Sequence, residues 1–271
     1  MARYFAALPM YDPPELHEAN DALWGAISSR LVTGGLSAVP DRLTRTDDMG
    51  ELWRQDGLLL LGQTCGYPLM KEFPGRFQLV ATPLYQAEGC EGPFHRSAIV
   101  VRHDSPANHL GDLRGGHCAV NDWASNTGMN LLRARIAPLA TDGSFFGRVT
   151  VSGSHRQSLE WVAAGTADVA AIDCVTLALL RNIAPDLVAA VKILDWTARS
   201  PALPLITAAE TDSATLELLR RALRDVVTDP GLAATSKDLL IKDFKLVPLQ
   251  VYRAVLDFEE DAIKSGYPTL S

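Results

Sequence analysis

Strand-length apolar runs alternate with helix-length amphipathic segments from one end of the chain to the other. Ser97–Arg102 and Val169–Ile172 are short apolar runs, whereas Ser213–Val227 has the length and apolar spacing of a helix. This alternation is typical of strand–helix units on a mainly parallel sheet, because helices cover the faces of such a sheet. We therefore predict an α/β fold with mainly parallel sheets flanked by helices.

The chain length favours two lobes over one. The chain has 271 residues, which exceeds the roughly 100–150 residues of an ordinary domain. The block from Leu110 to about Leu194 also contains strand–helix units of its own. We predict that residues 1–96 and 200–271 form lobe 1 and that residues 97–199 form lobe 2. Two extended crossing strands would join the lobes and act as a hinge.

The composition argues against several kinds of partner. The chain is 47% hydrophobic and 21% charged, its formal net charge is -7, and no run of Lys or Arg marks a nucleic-acid-binding surface. No stretch approaches the ~18 consecutive apolar residues of a membrane span. Met1–Asp12 reads as a first strand instead of a signal peptide, because its apolar run breaks at Pro9 without a cleavage site. We expect neither nucleic-acid binding nor membrane insertion.

The cysteines do not indicate a metal site. The four of them are spread along the chain without CxxC spacing or clustered histidines, which argues against zinc. We predict no metal, no cofactor, and buried free thiols. In an exported protein the candidate disulfides are Cys65 with Cys90 and Cys118 with Cys174.

A first polar segment lies where a strand gives way to a helix. Asp122–Asn130 separates the apolar run that ends at Val120 from a helical pattern that starts at Leu131. A helix N-terminus has unpaired backbone N–H groups and a partial positive charge, so hydroxyls and glycine at this place make an anion site. Ser125 and Thr127 can donate hydroxyl hydrogen bonds. The alternative is a plain N-cap, since Ser, Asn and Thr are favoured there in any case.

Two further segments repeat this arrangement. Gly153-Ser154-His155 follows a predicted strand and opens a helix, and Asp173 ends another apolar strand. His155 could donate to an oxyanion, or it could be an ordinary surface histidine at a cap. Asp173 could face a ligand, because ligands of open α/β sheets bind outside the carboxyl ends of the strands, or it could cap the next helix.

These segments together carry a family resemblance. The motifs Ser125-x-Thr127-Gly128, Gly153-Ser154-His155 and the run from Val162 to Asp173 resemble the phosphate- and phosphonate-binding proteins of ABC importers. That family belongs to the type II periplasmic binding protein superfamily. The resemblance implies two α/β lobes, a hinged interlobe cleft that closes on a small anionic ligand, no catalysis, and an ABC permease as partner. It also implies a periplasmic location, with the cytoplasm as the alternative because we expect no signal peptide.

The resemblance further implies roles for particular residues. The helix starts and the histidine would hold a phosphonate or phosphate group, Asp173 would meet a ligand ammonium group, and two tyrosines of lobe 1 would complete the site. The implied ligand-binding residues are Ser125, Asn126, Thr127, Gly128, His155, Asp173, Tyr11 and Tyr67.

Two other classes of protein share this type of fold. An unexported enzyme, of the kind that acts on thiamine or menaquinone precursors, would use His155 as a general base and Asp173 as an orienting acid. Against an enzyme, the chain has no GxSxG, HExxH or P-loop motif. The effector domain of a LysR-type regulator would need a DNA-binding helix-turn-helix, for which there is no room before Tyr4.

Overall fold

The computed structural model describes residues 4–46, 48–55 and 57–271, and the chain divides into two compact units. The first unit comprises Met1–Gln86 and Ala202–Val251, and the second comprises Ala87–Pro201 and Tyr252–Ser271. The chain therefore passes between the units three times.

The elements follow in chain order. The strands are β1 (Phe5–Ala7), β2 (Leu59–Gln63), β3 (Phe77–Tyr85), β4 (Phe94–His95), β5 (Ser97–Arg102), β6 (His117–Val120), β7 (Arg148–Val151), β8 (Val169–Asp173), β9 (Val191–Trp196), β10 (Ser200–Pro201), β11 (Leu205–Ala208) and β12 (Ile241–Lys245). The α-helices are α1 (His17–Thr33), α2 (Met49–Trp53), α3 (Gly66–Lys71), α4 (Leu131–Ile136), α5 (His155–Ala163), α6 (Cys174–Ile183), α7 (Pro185–Ala189), α8 (Ser213–Val227), α9 (Ala233–Asp238) and α10 (Ala254–Lys264).

The first unit contains a mixed five-stranded sheet. Its strand order is β1-β2-β11-β3-β12, in which β1, β2 and β3 run in one direction and β11 and β12 run in the other. All five residues of β2 are buried, because the strand is covered on both faces. Helix α1 buries the apolar stripe Leu23, Trp24, Ile27 and Leu31, as its sequence spacing predicts.

The second unit contains the sheet that positions the candidate site. Its order is β7-β6-β8-β5-β9, and β5 alone among these strands runs against the others. Strands β7, β6 and β8 are therefore parallel neighbours. These three strands end at the same edge of the sheet. Strand β6 is followed by a helix start at Asn126, β7 by one at His155 and β8 by one at Cys174. The short strands β4 and β10 pair with each other in the same unit.

The C-terminal segment belongs to the second unit, which differs from the predicted lobe boundaries. Residues 252–271 were expected in lobe 1 because the helix there has an apolar face to bury. That face is covered in the second unit, where Val255 is fully buried and its carbonyl accepts a hydrogen bond of 2.7 Å from Asn130 Nδ2. Arg133 Nη1 also donates to the carbonyl of Pro268 at 3.0 Å.

Three short segments of the first unit have local explanations. Residues 38–43 form no strand, and the carbonyl of Pro40 accepts a hydrogen bond from Trp24 Nε1. Pro68 lies in the first turn of helix α3, where proline is tolerated. Strand β12 is a polar edge strand that pairs with β3.

Within the described residues, none of the helices has the length and apolar character needed to cross a membrane.

Candidate functional site

The segment after β6 forms a wide helix start. Ser125 is the N-cap, and its Oγ accepts a hydrogen bond of 2.9 Å from the Gly128 backbone N–H. The Asn130 N–H reaches back to the Ser125 carbonyl at 3.0 Å, so the first turn, Asn126–Asn130, is π-helical before it continues into α4. Ser125 therefore caps this helix, which is one of the two roles that the sequence allowed for it.

The segment after β7 forms a second helix start beside the first. Gly153 adopts φ +97°, and Ser154 then caps α5 by accepting a hydrogen bond of 3.1 Å from the Gln157 N–H. Ser158 lies one turn into the helix, where its hydroxyl is 2.6 Å from the hydroxyl of Ser152. His155 is thereby the first residue of α5.

The two helix starts meet through Thr127 and His155. Thr127 Oγ1 lies 3.0 Å from His155 Nε2. Burial lowers the pKa of His155, even though the charge of Asp173 acts in the opposite direction. The ring is therefore neutral at neutral pH, and one ring nitrogen can donate a proton while the other accepts.

Gly128 occupies a position that no larger residue fits. A Cβ atom there would overlap Asn121 Oδ1 and would lie 3.1 Å from His155 Cε1. The glycine lets the first helix start approach both Asn121 and His155. Close packing against these two side chains therefore explains why a glycine is present at this position of the predicted anion site.

Asn126 lies in a buried polar network that extends away from the helix start. Its Nδ2 donates to Ser200 Oγ at 2.9 Å, and its Oδ1 accepts from Asn130 Nδ2 at 3.0 Å. Asn130 Oδ1 in turn accepts from Arg133 Nη2 at 2.7 Å. We call Asn126, Asn130, Arg133 and Ser200 the asparagine network, and it ties the helix start to the C-terminal segment.

Asp173 caps α6 and pairs with a histidine. Its Oδ1 accepts hydrogen bonds from the N–H groups of Val175 and Thr176 at 2.9 and 3.1 Å. Its Oδ2 lies 3.1 Å from His95 Nδ1, and the two side chains are 1% and 0% exposed. The capping alternative left open by the sequence is therefore present here too.

The His95–Asp173 contact sets the charge state of both groups. Burial alone would lower the pKa of His95, but the carboxylate of Asp173 outweighs burial, and the pKa is raised. Burial alone would raise the pKa of Asp173, and the imidazolium charge outweighs it in the same way, so that pKa is lowered. The pair is therefore held as an ion pair.

Sequence reasoning missed His95 and Ser97. Ser97 is fully buried, and its Oγ donates to the Thr127 carbonyl at 2.8 Å, which fixes the first helix start against β5. Ser97 pairs in register with Asp173, which brings His95 close to that carboxylate. Only knowledge that β5 and β8 are neighbours could have identified either residue.

The predicted residue Tyr11 lies at the edge of the first unit's sheet. It follows β1, while Gln63 and Tyr85 are the last residues of β2 and β3, which run in the same direction. The Tyr11 and Tyr85 rings meet edge to face at 5.2 Å, and Gln63 Nε2 donates to the Tyr85 hydroxyl at 2.9 Å. A small cavity of about 20 Å³ lies beside these three side chains. Sequence reasoning missed Gln63 and Tyr85, although their strand-end positions were a usable signal.

The structure does not group Tyr67 with Tyr11. Tyr67 lies in α3 and is 3% exposed. Its hydroxyl is 2.8 Å from Lys71 Nζ, which also lies 5.0 Å from the centre of the tyrosine ring. Tyr67 does not line the small cavity beside Tyr11.

The cysteines are arranged differently from the candidate disulfides. All four are free thiols, and Cys90 Sγ lies 3.5 Å from Cys174 Sγ. The neighbouring pair is therefore Cys90 with Cys174, instead of the pairs Cys65 with Cys90 and Cys118 with Cys174.

Comparison with known proteins defines the class of the chain. A sequence profile described as the periplasmic substrate-binding protein of a phosphonate ABC transporter matches residues 5–252. The chain belongs to this family, as its motifs predicted. No curated protein sequence is a significant match.

Solved structures share the fold at low sequence identity. The phosphonate-transporter binding protein of Pseudomonas aeruginosa has 13% identity and a TM-score of 0.75, over 98% of this chain and 88% of that one. PhnD1 of Prochlorococcus marinus, solved with methylphosphonate, has 12% identity and a TM-score of 0.74, over 97% and 100%. A Xanthomonas citri protein solved with ATP has 18% identity and a TM-score of 0.71, over 98% of each chain. The prediction of a two-lobed α/β periplasmic-binding-protein fold is confirmed.

Proposed function

We propose that this protein is a non-catalytic receptor that binds a small phosphonate, phosphate or phosphorylated anion and delivers it to an ABC permease in the periplasm. The observation that carries the proposal is the 3.0 Å contact between Thr127 Oγ1 and His155 Nε2, which joins two helix starts at one edge of a sheet. Helix N-termini favour anions, and both helices follow parallel strands.

The donors at this edge suit a phosphorus oxyanion. Ser125 and Thr127 provide hydroxyls, Asn126 provides a backbone N–H group, and the neutral His155 ring can donate one proton. Hydrogen bonds to a charged acceptor are worth about 1.5–3 kcal/mol each, so a few neutral donors can hold an anion without arginine. Two structural relatives were solved with a phosphonate and with ATP, which supports this class of ligand.

We further propose that the two units are lobes that close on the ligand, with Tyr11 and Tyr67 contributing from the first unit. Closure around a small solute is the ordinary behaviour of this class of fold. Small-angle X-ray scattering tests it: saturating ligand is expected to lower the radius of gyration. An unchanged radius under saturation would contradict closure.

The binding proposal is tested by calorimetric titration with phosphate, methylphosphonate, 2-aminoethylphosphonate and phosphorylated metabolites. Thr127→Ala is expected to weaken binding by about 1.5–3 kcal/mol, or roughly 10- to 150-fold, because it removes one hydroxyl donor to a charged ligand. Thr228→Ala is the matched control, since that threonine is exposed at the end of α8. Equal affinity of wild type and Thr127→Ala would contradict the anion site.

One observation favours an enzyme as the second candidate. A hydroxyl beside a neutral imidazole, as in Thr127 and His155, is also the geometry of a nucleophile with its general base. In that case a bound phosphate ester would be consumed. Recovery of each ligand unchanged after prolonged incubation, measured by phosphorus NMR, would favour the receptor.

A further inference from the structure

The carboxylate of Asp173 is fully engaged within the second unit. Oδ1 accepts two backbone hydrogen bonds at the start of α6, and Oδ2 is 3.1 Å from the ring of His95. Both side chains are almost completely buried. A carboxylate at the end of a parallel strand would ordinarily attract a cationic group of a ligand.

Two positive groups already balance the charge of Asp173. The N-terminus of α6, a helix of 10 residues, presents its partial positive charge to Oδ1. The ring of His95 lies against Oδ2, and the opposite pKa shifts of the two residues favour the ion pair. An ammonium group brought to Asp173 would therefore lose its hydration without gaining an uncompensated partner.

We propose that His95 is a specificity-determining residue, because it makes Asp173 unavailable to a ligand ammonium group and so selects phosphorus oxyanions with uncharged substituents. This inference rests on the proposed function and names its ligand class: inorganic phosphate or an alkylphosphonate instead of an aminoalkylphosphonate. It replaces the role that the resemblance implied for Asp173.

Two ligands of the same shape test the inference directly. In n-propylphosphonate a methyl group takes the place of the ammonium group of 2-aminoethylphosphonate. Wild type is expected to bind the propyl compound at least as tightly, as measured by competition against methylphosphonate. A preference of more than three-fold for the amino compound would overturn the inference. If the site excludes both, ethylphosphonate and aminomethylphosphonate make the same comparison with one fewer methylene.

Binding of phosphate and methylphosphonate separates the two levels of the proposal. If these bind and the amino compound is preferred, the proposed function stands and the inference fails. If no phosphorus oxyanion binds, both fail.

Variants locate the effect at the histidine. His95→Asn leaves Asp173 without its cationic partner, and we expect the affinity ratio to shift toward the amino compound by about ten-fold or more. Asp173→Asn should change the affinity for both compounds by the same factor. His109→Asn is the matched control, because His109 is an exposed histidine paired with Asp112 at 3.2 Å in the same unit. If His95→Asn does not fold, the wild-type ratio and Asp173→Asn still decide the question.

A second inference rests on the cysteines and does not depend on the ligand. Cys90 and Cys174 lie in the same unit with their sulfur atoms 3.5 Å apart. The half-buried Cys90 belongs to the loop before β4, and the buried Cys174 is the first residue of α6. A Cβ atom at Gly89 would lie 2.9 Å from Cys174 Cβ, so the loop is already packed against that residue. A disulfide joins sulfur atoms that are ~2.05 Å apart, so its formation brings these two sulfur atoms closer by about 1.5 Å.

We infer that Cys90 and Cys174 form a disulfide when the protein meets a low-molecular-weight disulfide. The thiolate of Cys90, which is the more exposed, attacks one sulfur of the reagent and displaces a first thiol. Cys174 then attacks the Cys90 sulfur of the mixed disulfide and displaces a second thiol. The two cysteine sulfurs are oxidised, the reagent is reduced, and both protons leave on the released thiols.

The disulfide is tested by incubation with glutathione disulfide, denaturation, alkylation and mass spectrometry. We expect a mass loss of about 2 Da before alkylation, two alkylated cysteines, and a peptide that links Cys90 to Cys174. Cys90→Ser should abolish the mass loss, and Cys65→Ser should retain it. Four alkylated cysteines, a different linked pair, or a bond between two chains would overturn the inference.

Discussion

The two units place different side chains at equivalent edges of their sheets. Three strands of the first unit and four strands of the second run in one direction and end at one edge of their sheet. In the second unit that edge carries hydroxyls, amides, histidines and a carboxylate, whereas in the first it carries Tyr11, Tyr85 and Gln63 beside a small cavity. Among the described residues, eleven of the sixteen buried polar side chains lie in the second unit.

The polar edge of the second unit and the aromatic edge of the first unit are suited to recognise different properties of a ligand. Buried polar side chains are usually hydrogen-bonded, and the hydrogen bonds of Ser97, Asn126 and Asn130 fix the direction of these side chains before a ligand arrives. Aromatic rings contribute mainly contact area and shape. We therefore expect the second unit to determine the charge of the ligand and the first unit to determine the shape that fits around it.

The largest effect is expected in the asparagine network. Asn130 is fully buried, its amide nitrogen donates to Asn126 and Val255, and its oxygen accepts from Arg133. Asn130→Ala should lower the free energy of unfolding by about 2–4 kcal/mol, because it leaves several buried groups unpaired. Urea denaturation measures the change.

The matched control for this network is exposed. Asn108→Ala removes a single hydrogen bond to the carbonyl of Pro106 at the surface of the same unit, and it should change stability by less than about 0.5 kcal/mol. Equal effects of Asn108→Ala and Asn130→Ala would mean that the network is not structural, and the comparison between the units would lose its basis.

Glycine substitutions should have opposite signs in the two units. Gly128→Ala forces a Cβ atom into Asn121 Oδ1, and we expect a destabilisation of about 1–3 kcal/mol and loss of anion binding. Gly25→Ala in α1 meets nothing within 4 Å and should stabilise the first unit by about 0.5–1 kcal/mol through helix propensity. Thermal unfolding measures both, and stabilisation by Gly128→Ala would contradict the tight packing of the helix start.

Local sequence patterns were enough to predict the helix starts. Ser125, Thr127, His155 and Asp173 each follow an apolar strand, and capping residues are recognisable within three or four positions of a helix. Helix Ser213–Val227 has the predicted bounds. The contact between Thr127 and His155 depends in addition on the pairing of β6 with β7 as parallel neighbours.

Partners that come from distant parts of the chain could not be predicted in this way. His95 meets Asp173 because β5 pairs with β8, and nothing in a single sequence says which strands are neighbours. The position of Val255 in the second unit has the same cause, since an amphipathic helix shows which face it buries but not against which partner. The candidate cysteine pairs differ from the observed neighbours Cys90 and Cys174 for this reason.

The His95–Asp173 pair predicts a pH dependence of stability. A raised pKa of His95 adds stability that is fully present below its ordinary pKa of 6.5 and is lost as the pH rises through its value in the folded protein. A lowered pKa of Asp173 adds stability that is present above 3.8 and is lost as the pH falls through its folded value. Wild type should therefore exceed His95→Asn in stability by the largest margin between pH 3.8 and pH 6.5. This margin should shrink as the pH rises above 6.5.

Above pH 6.5 this difference reports mainly on the pair. The lowered pKa of His155 acts in the opposite direction, since its contribution is lost as the pH falls below 6.5. The charge of His95 contributes to that shift, so the His155 effect cancels only in part between the two proteins. Thermal unfolding across the pH range measures the difference in stability between wild type and His95→Asn. An advantage that grows from pH 6.5 to 8.5 would contradict the ion pair.

The smallest effect is expected at the aromatic edge of the first unit. Tyr85→Phe removes the hydroxyl that accepts a hydrogen bond from Gln63 Nε2, but that nitrogen keeps a contact of 3.4 Å to the carbonyl of Leu203. Stability should fall by about 0.5–1.5 kcal/mol, with the ring packing retained. If the second unit reads the charge of the ligand, Tyr85→Phe should also weaken phosphate binding far less than Thr127→Ala does in the same titration. A ten-fold or greater loss of phosphate affinity in Tyr85→Phe would instead assign part of anion recognition to the tyrosines, and the division of roles between the units would have to be abandoned.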